Sequence, residues 1–159
     1  MTASARSVLK SYVQPLSVAA AVLLSVPPVA RAGTPINERA AADPNGAVEV
    51  SNVAGTVRVS GWDRSEVEVT GELGEGTERL GFVAGDKVTR VKVILPNRSR
   101  NVDDSDLIVR VPVASRVSVN TVSADIDVEG VTGAQRLQSV SADIRTQAAA
   151  EDVECKTVS

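Results

Sequence analysis

The end of this chain repeats itself every eighteen residues. Asn120–Leu137 is one unit, Gln138–Cys155 the next, and Lys156–Ser159 opens a third. Val122, Val140 and Val158 align, as do Ile126 and Ile144; Val128 falls on Thr146 and Leu137 on Cys155. Inside each unit the apolar residues stand two apart, the period of a strand with one buried face. A unit this short holds two brief strands and two turns and cannot bury its own apolar side, whereas a stack of units can. The expectation is an all-β fold: a β-solenoid-like, two-sheet array of stacked β-repeats with rungs of about 18 residues. Neighbouring strands lie about 4.8 Å apart, so like residues should form ladders along the stack. Val122, Ala124, Ile126 and Val128 are expected to point inward, and Ser123, Asp125, Asp127 and Glu129 outward.

The same pattern occurs earlier. Val48–Gly61 lies 69 residues before Val117–Gly130 and aligns with it without gaps, Val48, Val50, Val53, Val59 and Gly61 matching and Val57 meeting Ile126. It reads as a first unit of the same kind, followed by longer insertions. Val67 and Val69, then Val88 to Ile94, then Leu107 to Val113 supply further alternating runs. Residues 71–86 are rich in glycine. A phosphate-cradling loop would have to open a helix, but strand pattern follows, so hairpin turns are expected. Residues 97–106 form the most charged loop. Asp103, Asp104 and Asp106 are oxygen ligands suited to a hard cation such as Ca²⁺, but they lack the spacing and central glycine of an EF-hand loop, and the reading is a solvated loop.

The N-terminus has a different character. Arg6 and Lys10 precede the apolar run Leu16–Val26, Pro27 and Pro28 break it, and Ala30-Arg31-Ala32 supplies a cleavage pattern. This order is that of a secretory signal peptide, and eleven apolar residues fall short of the ~20 that span a bilayer. Residues 1–32 are therefore read as a signal peptide, helical before cleavage, 33–46 as a linker ending in the turn Asp43-Pro44-Asn45-Gly46, and 47–159 as the β-repeat domain. Removing Arg6, Lys10 and Arg31 leaves 14 basic against 20 acidic residues, a net charge of −6. That balance disfavours nucleic acid as a partner. The expected location is periplasmic or extracellular, with no membrane span after cleavage.

Composition narrows the chemistry. The chain has no His and a single cysteine, Cys155. No zinc site, no Ser–His nucleophile and no internal disulfide can be assembled from it. Cys155 is read as a small buried apolar residue. Past the signal only Trp62 and Phe82 are aromatic, so Val, Ile, Leu and Ala must build the core, and Trp62 is expected to cap the apolar interior at a turn. Asp125 and Asp143 should stack, and two such acids repel. A carboxylate pair suits glycoside chemistry, yet a residue that recurs with every unit is expected to maintain the unit. No catalytic, cofactor-binding or metal-binding residue is assigned.

One family shares these phrases. The leading V-x-V-x-N-x-x-G-x-V-x-V-x-G-W-D (Val48 to Asp63), the D-L-x-V-x-V-P segment (Asp106 to Pro112) and the V-S-x-D-I repeats resemble the putative-adhesin β-repeat family, DUF4097, over residues 46–159. The family repeat usually has Gly where this chain has Ala124 and Ala142; Gly55 keeps it in the first unit. The resemblance implies an exported, non-catalytic protein with a binding or structural role at the cell envelope, its partner an unidentified envelope protein or glycan. It also implies more repeats beyond Ser159, so the domain reads as C-terminally incomplete, with an exposed edge open to self-association. The alternatives are a polysaccharide-active enzyme on a β-helical scaffold, or a periplasmic partner in envelope-stress signalling.

Overall fold

The structure, a computed structural model, describes residues 33–97, 101–147, 150 and 152–158. The signal-peptide reading and its helix fall outside these residues. The described residues form no helix. They form ten strands: β1 (Thr34–Ala41), β2 (Ala47–Trp62), β3 (Glu66–Leu73), β4 (Arg79–Ala84), β5 (Val88–Ile94), β6 (Ser105–Pro112), β7 (Arg116–Glu129), β8 (Gln135–Ser139), β9 (Ile144–Gln147) and β10 (Val153–Thr157). All belong to one mixed sheet whose main path runs β1-β3-β6-β2-β7-β8-β10. Off it, β5 joins β2 and β4, and β9 joins β7.

Registers follow the offsets read from the sequence. β2 and β7 pair in parallel at 69 residues, Val48 opposite Val117 and Val57 opposite Ile126. β7 pairs with β8 and β9, and β8 with β10, at 18 residues; Ile126 stands directly opposite Ile144.

The long strands β2 and β7 each change phase once. On β2 the buried residues are Val48, Val50 and Asn52, then Val57 and Val59. On β7 they are Val117, Val119 and Thr121, then Ala124, Ile126 and Val128. Strict alternation cannot switch from one parity to the other without a local break. At each break a polar side chain is buried and bonds to the backbone. Asn52 Nδ2 donates to the carbonyls of Ala54 at 3.1 Å and Ser105 at 2.9 Å, and Thr121 Oγ1 donates to that of Ala124 at 2.8 Å. β2 and β7 therefore each have two limbs, and they lie in one mixed sheet rather than in the two sheets expected. The first limbs align β5, β2, β7, β8 and β10, and the second limbs align β6, β2, β7 and β9. Both turn their apolar sides to one core. Gln135 of a first limb accepts a hydrogen bond from Thr146 of a second limb at 2.8 Å. Each fully buried Val, Leu or Ile contributes about 1.5–3 kcal/mol, which offsets the near absence of aromatics.

The phase change corrects one expectation. Because Thr121 turns inward, Val122 turns outward: Val122, Val140 and Val158 are 47%, 46% and 53% exposed. Ala124, Ile126 and Val128 are buried as expected. Gly55 and Ala124 are register partners, yet only Gly55 has a positive φ, +107°. A Cβ there would lie 2.4 Å from the carbonyl oxygen of Ser105, the register partner of Gly55 on β6, so this position demands glycine.

Three further readings change. The segment 33–46 is not wholly a linker: β1 pairs antiparallel with β3, Thr34 opposite Leu73 through Ala41 opposite Glu66. Among the described residues it is an edge strand covered on one side only, so little apolar alternation is needed. The glycine-rich stretch holds a strand as well as turns, β4 lying antiparallel to β5. Cys155 is exposed. It continues the buried column Val50, Val119 and Leu137, but it sits on the last strand of that column among the described residues.

Candidate functional site

Outward positions of the two limbs line up in rows. On the first limbs Arg90, Glu49, Ser118, Arg136 and Glu154 form one row, and Lys92, Ser51, Asn120, Gln138 and Lys156 the next. Ion pairs tie the first row together across strands, Arg90 to Glu49 at 2.8 Å and Arg136 to Glu154 at 2.9 Å. Both pairs are exposed and contribute little to stability; they order a charged surface.

The corner between the limbs is the most distinctive part of this surface. The phase change that buries Thr121 sets Val53, Val122, Val140 and Val158 in a column along the outside, beside the amides of Asn120 and Gln138. Two shallow hollows lie there. One, of about 230 Å³, is lined by Ser51, Val53, Lys92, Asn120 and Val122 among others. The other, of about 310 Å³, is lined by Asn120, Gln138, Val140, Lys156 and Val158 among others. An exposed β-branched column flanked by amides and ammonium groups can take an apolar strip and its polar neighbour together.

The acids singled out by the sequence fall in two places. Asp125 accepts the backbone N–H of Asp143 at 3.0 Å, and Asp143 meets Arg145 at 3.4 Å. The recurring Asp thus fastens one rung to the next, as expected of a residue that repeats with the unit. Asp103, Asp104 and Asp106 line a cleft of about 420 Å³ with Glu72, Glu75 and Gly33. Among the described residues no three His, Cys, Asp or Glu side chains stand close enough to hold a metal ion.

Sequence reasoning missed the buried carboxylate Glu68. It lies between Val67 and Val69 on β3, hydrogen-bonded by Arg39 and, at 3.1 Å, by Arg110. The bond from Arg39 holds its carboxyl below the usual carboxylate range against the opposing effect of burial, and the charges of Arg39 and Arg110 add to the depression. Arg110 also lies 5.8 Å from the Trp62 ring centre, with Arg64 at 5.0 Å on the same indole. The indole N–H donates to the Glu66 carbonyl at 2.8 Å. Trp62 thus ends β2 at the turn into β3, held by arginines. The alternation Glu66-Val67-Glu68-Val69 reads Glu68 as an ordinary outward residue like Glu66; its arginine partners come from β1 and β6, which sequence spacing does not connect.

No protein-family model matches the chain, and no curated protein matches it. Solved structures do. The chain is similar to a "putative cell adhesion protein" from Clostridium sporogenes, with a TM-score of 0.53 and 12% identity, over 78% of this chain and 68% of that one. A "putative adhesin" from Parabacteroides merdae gives 0.34 and 11% over 78% of this chain, and a "putative lipid binding protein" from Parabacteroides distasonis 0.37 and 9% over 79%. The chain spans 59% and 63% of the length of these last two. At such identities the first likeness establishes a shared fold.

Proposed function

We propose that this chain is an exported, non-catalytic β-repeat protein, a solenoid-like stack that serves binding at the cell envelope through its outward rows. The observation that carries the reading is the corner column. Three valines at one repeat position, each about half exposed, stand in line beside a polar row. Val50, Val119 and Leu137 before it and Val57 and Ile126 after it are buried, whereas this column faces water. The fold shared with a protein described as a cell adhesion protein points the same way. Of the pair that a glycan-cleaving alternative would use, Asp125 holds the backbone of the next unit and Asp143 meets Arg145 of its own unit.

The test is retention of envelope glycans and proteins by the immobilised chain. Val122→Glu with Val140→Glu should abolish retention and leave the thermal midpoint within about 2 °C, because both side chains are already half in water. If the unaltered chain retains nothing, the reading is wrong; if the double variant retains as much, the corner is not the site.

A further inference from the structure

We propose that Trp62 and the arginines around it form a second binding site, one for a sugar acid: a pyranose ring that carries a carboxylate. Trp62 shares the parity of the exposed Arg58, opposite to that of the buried Val57 and Val59. It lies outside the apolar core and the residues packed against it, so it stands on the outward face instead of capping the interior. It is the chain's one tryptophan, and core packing does not account for it. Its ring is held in place, the indole N–H donating to the Glu66 carbonyl at 2.8 Å. Arg64 at 5.0 Å and Arg110 at 5.8 Å from the ring centre add cation–π attraction.

The arginines are held as well. Arg39, Glu68, Arg110, Ser60 and Glu129 are successive register partners across this face. The Glu68 side chain is only 8% exposed, while its partners Arg39 and Arg110 are half exposed. A buried carboxylate thus fixes two guanidiniums at the surface, and a guanidinium has more N–H donors than one carboxylate uses. Arg64 reaches the ring from the exposed turn between β2 and β3. A carboxylate matches the fork of a guanidinium, and donors already held in place lose little freedom on binding. The rest of the surface selects a sugar. A pyranose offers C–H groups to the negative face of the indole, and hydroxyls to Ser60 and the exposed Glu129. A bare anion would leave the indole unused and be repelled by Glu129. A neutral sugar would leave the guanidiniums unused.

None of these residues belongs to the corner column, so this site stands or falls apart from the corner reading. Trp62 fluorescence reports on it directly, because the chain has no other tryptophan. Titrating the purified chain with methyl β-D-glucuronide should change the emission with a Kd of roughly 1 mM, the range of a small ligand on an open surface. Methyl β-D-glucoside, its neutral counterpart, should bind about tenfold more weakly or worse, and sodium acetate, the carboxylate alone, should not compete. Arg64→Gln lies in an exposed turn, and Arg110→Lys keeps a cation beside Glu68 but loses the fork. Each should weaken binding about fivefold or more with an unchanged circular-dichroism spectrum. Val122→Glu with Val140→Glu should leave the titration as it was. Emission indifferent to the glucuronide at tens of millimolar, an equal response to the glucoside or to acetate, affinity unmoved by both arginine variants, or loss of binding in the corner variant would each overturn the proposal.

Discussion

Ile126 and Ile144 hold the same place in two copies of one phrase and pair with each other, yet one is sealed in the core and the other is half-buried. Their surroundings diverge in the same way. Ala124 is fully buried and Ala142 partly so. Thr121 Oγ1 reaches the Ala124 carbonyl, while Ser139 Oγ, its register equivalent, is buried without a partner. Ile126 lies between Val57 and Ile144; Ile144 has Ile126 on one side only among the described pairings. A repeat phrase therefore encodes which way a side chain points. How deeply it is buried depends on what is stacked on either side.

Truncation of the two isoleucines is the sharpest way to break this comparison. Ile126→Ala should cost about 2–5 kcal/mol, and Ile144→Ala less than half as much, in matched urea unfolding curves. Equal costs would mean that the rungs contribute independently of position. The next contrast concerns register partners. Gly55→Ala should cost about 2–4 kcal/mol, combining strain at a positive φ with overpacking against Ser105. Ala124→Gly should cost about 1–2 kcal/mol, through a lost buried methyl and a freer unfolded chain.

The corner hydroxyls come third. Thr121→Ala should lose about 1 kcal/mol, whereas Ser139→Ala should be neutral or slightly stabilising, because it removes a buried group that has no hydrogen bond. Thermal denaturation of the two variants decides it. The subtlest effect lies at Glu68. Its carboxyl is held below the usual range in the folded chain, so its charged form stabilises the fold above the ordinary carboxylate value. That contribution fades as pH falls through the depressed folded value. Glu68→Gln should therefore be less stable than the parent near neutral pH and converge with it in acid. A stability gap that persists or widens at low pH would rule this out.

The strand register was legible because it is written twice. An offset of 69 between two valine-rich stretches, and one of 18 between V-S-A-D-I phrases, are also the pairing offsets of the strands. The edge strands were harder to read. β1 and β4 are half-covered, and a strand with one open side needs few apolar residues. The outward turn of Val122 was invisible for a different reason: valine belongs to either face, and only the burial of Thr121 decides the parity. For the acids, repetition pointed to the structural role of Asp125, while Glu68 needed arginines brought in from β1 and β6.

By itself, the sequence determined the β class and the pairing offsets of the strands, because each follows from periodicity. The tertiary structure decided where β2 and β7 bend, which valine column faces water, and which copies of the phrase are sealed. Those outcomes depend on whether a neighbouring strand, far away in the chain, covers the position, and no spacing of residues records that.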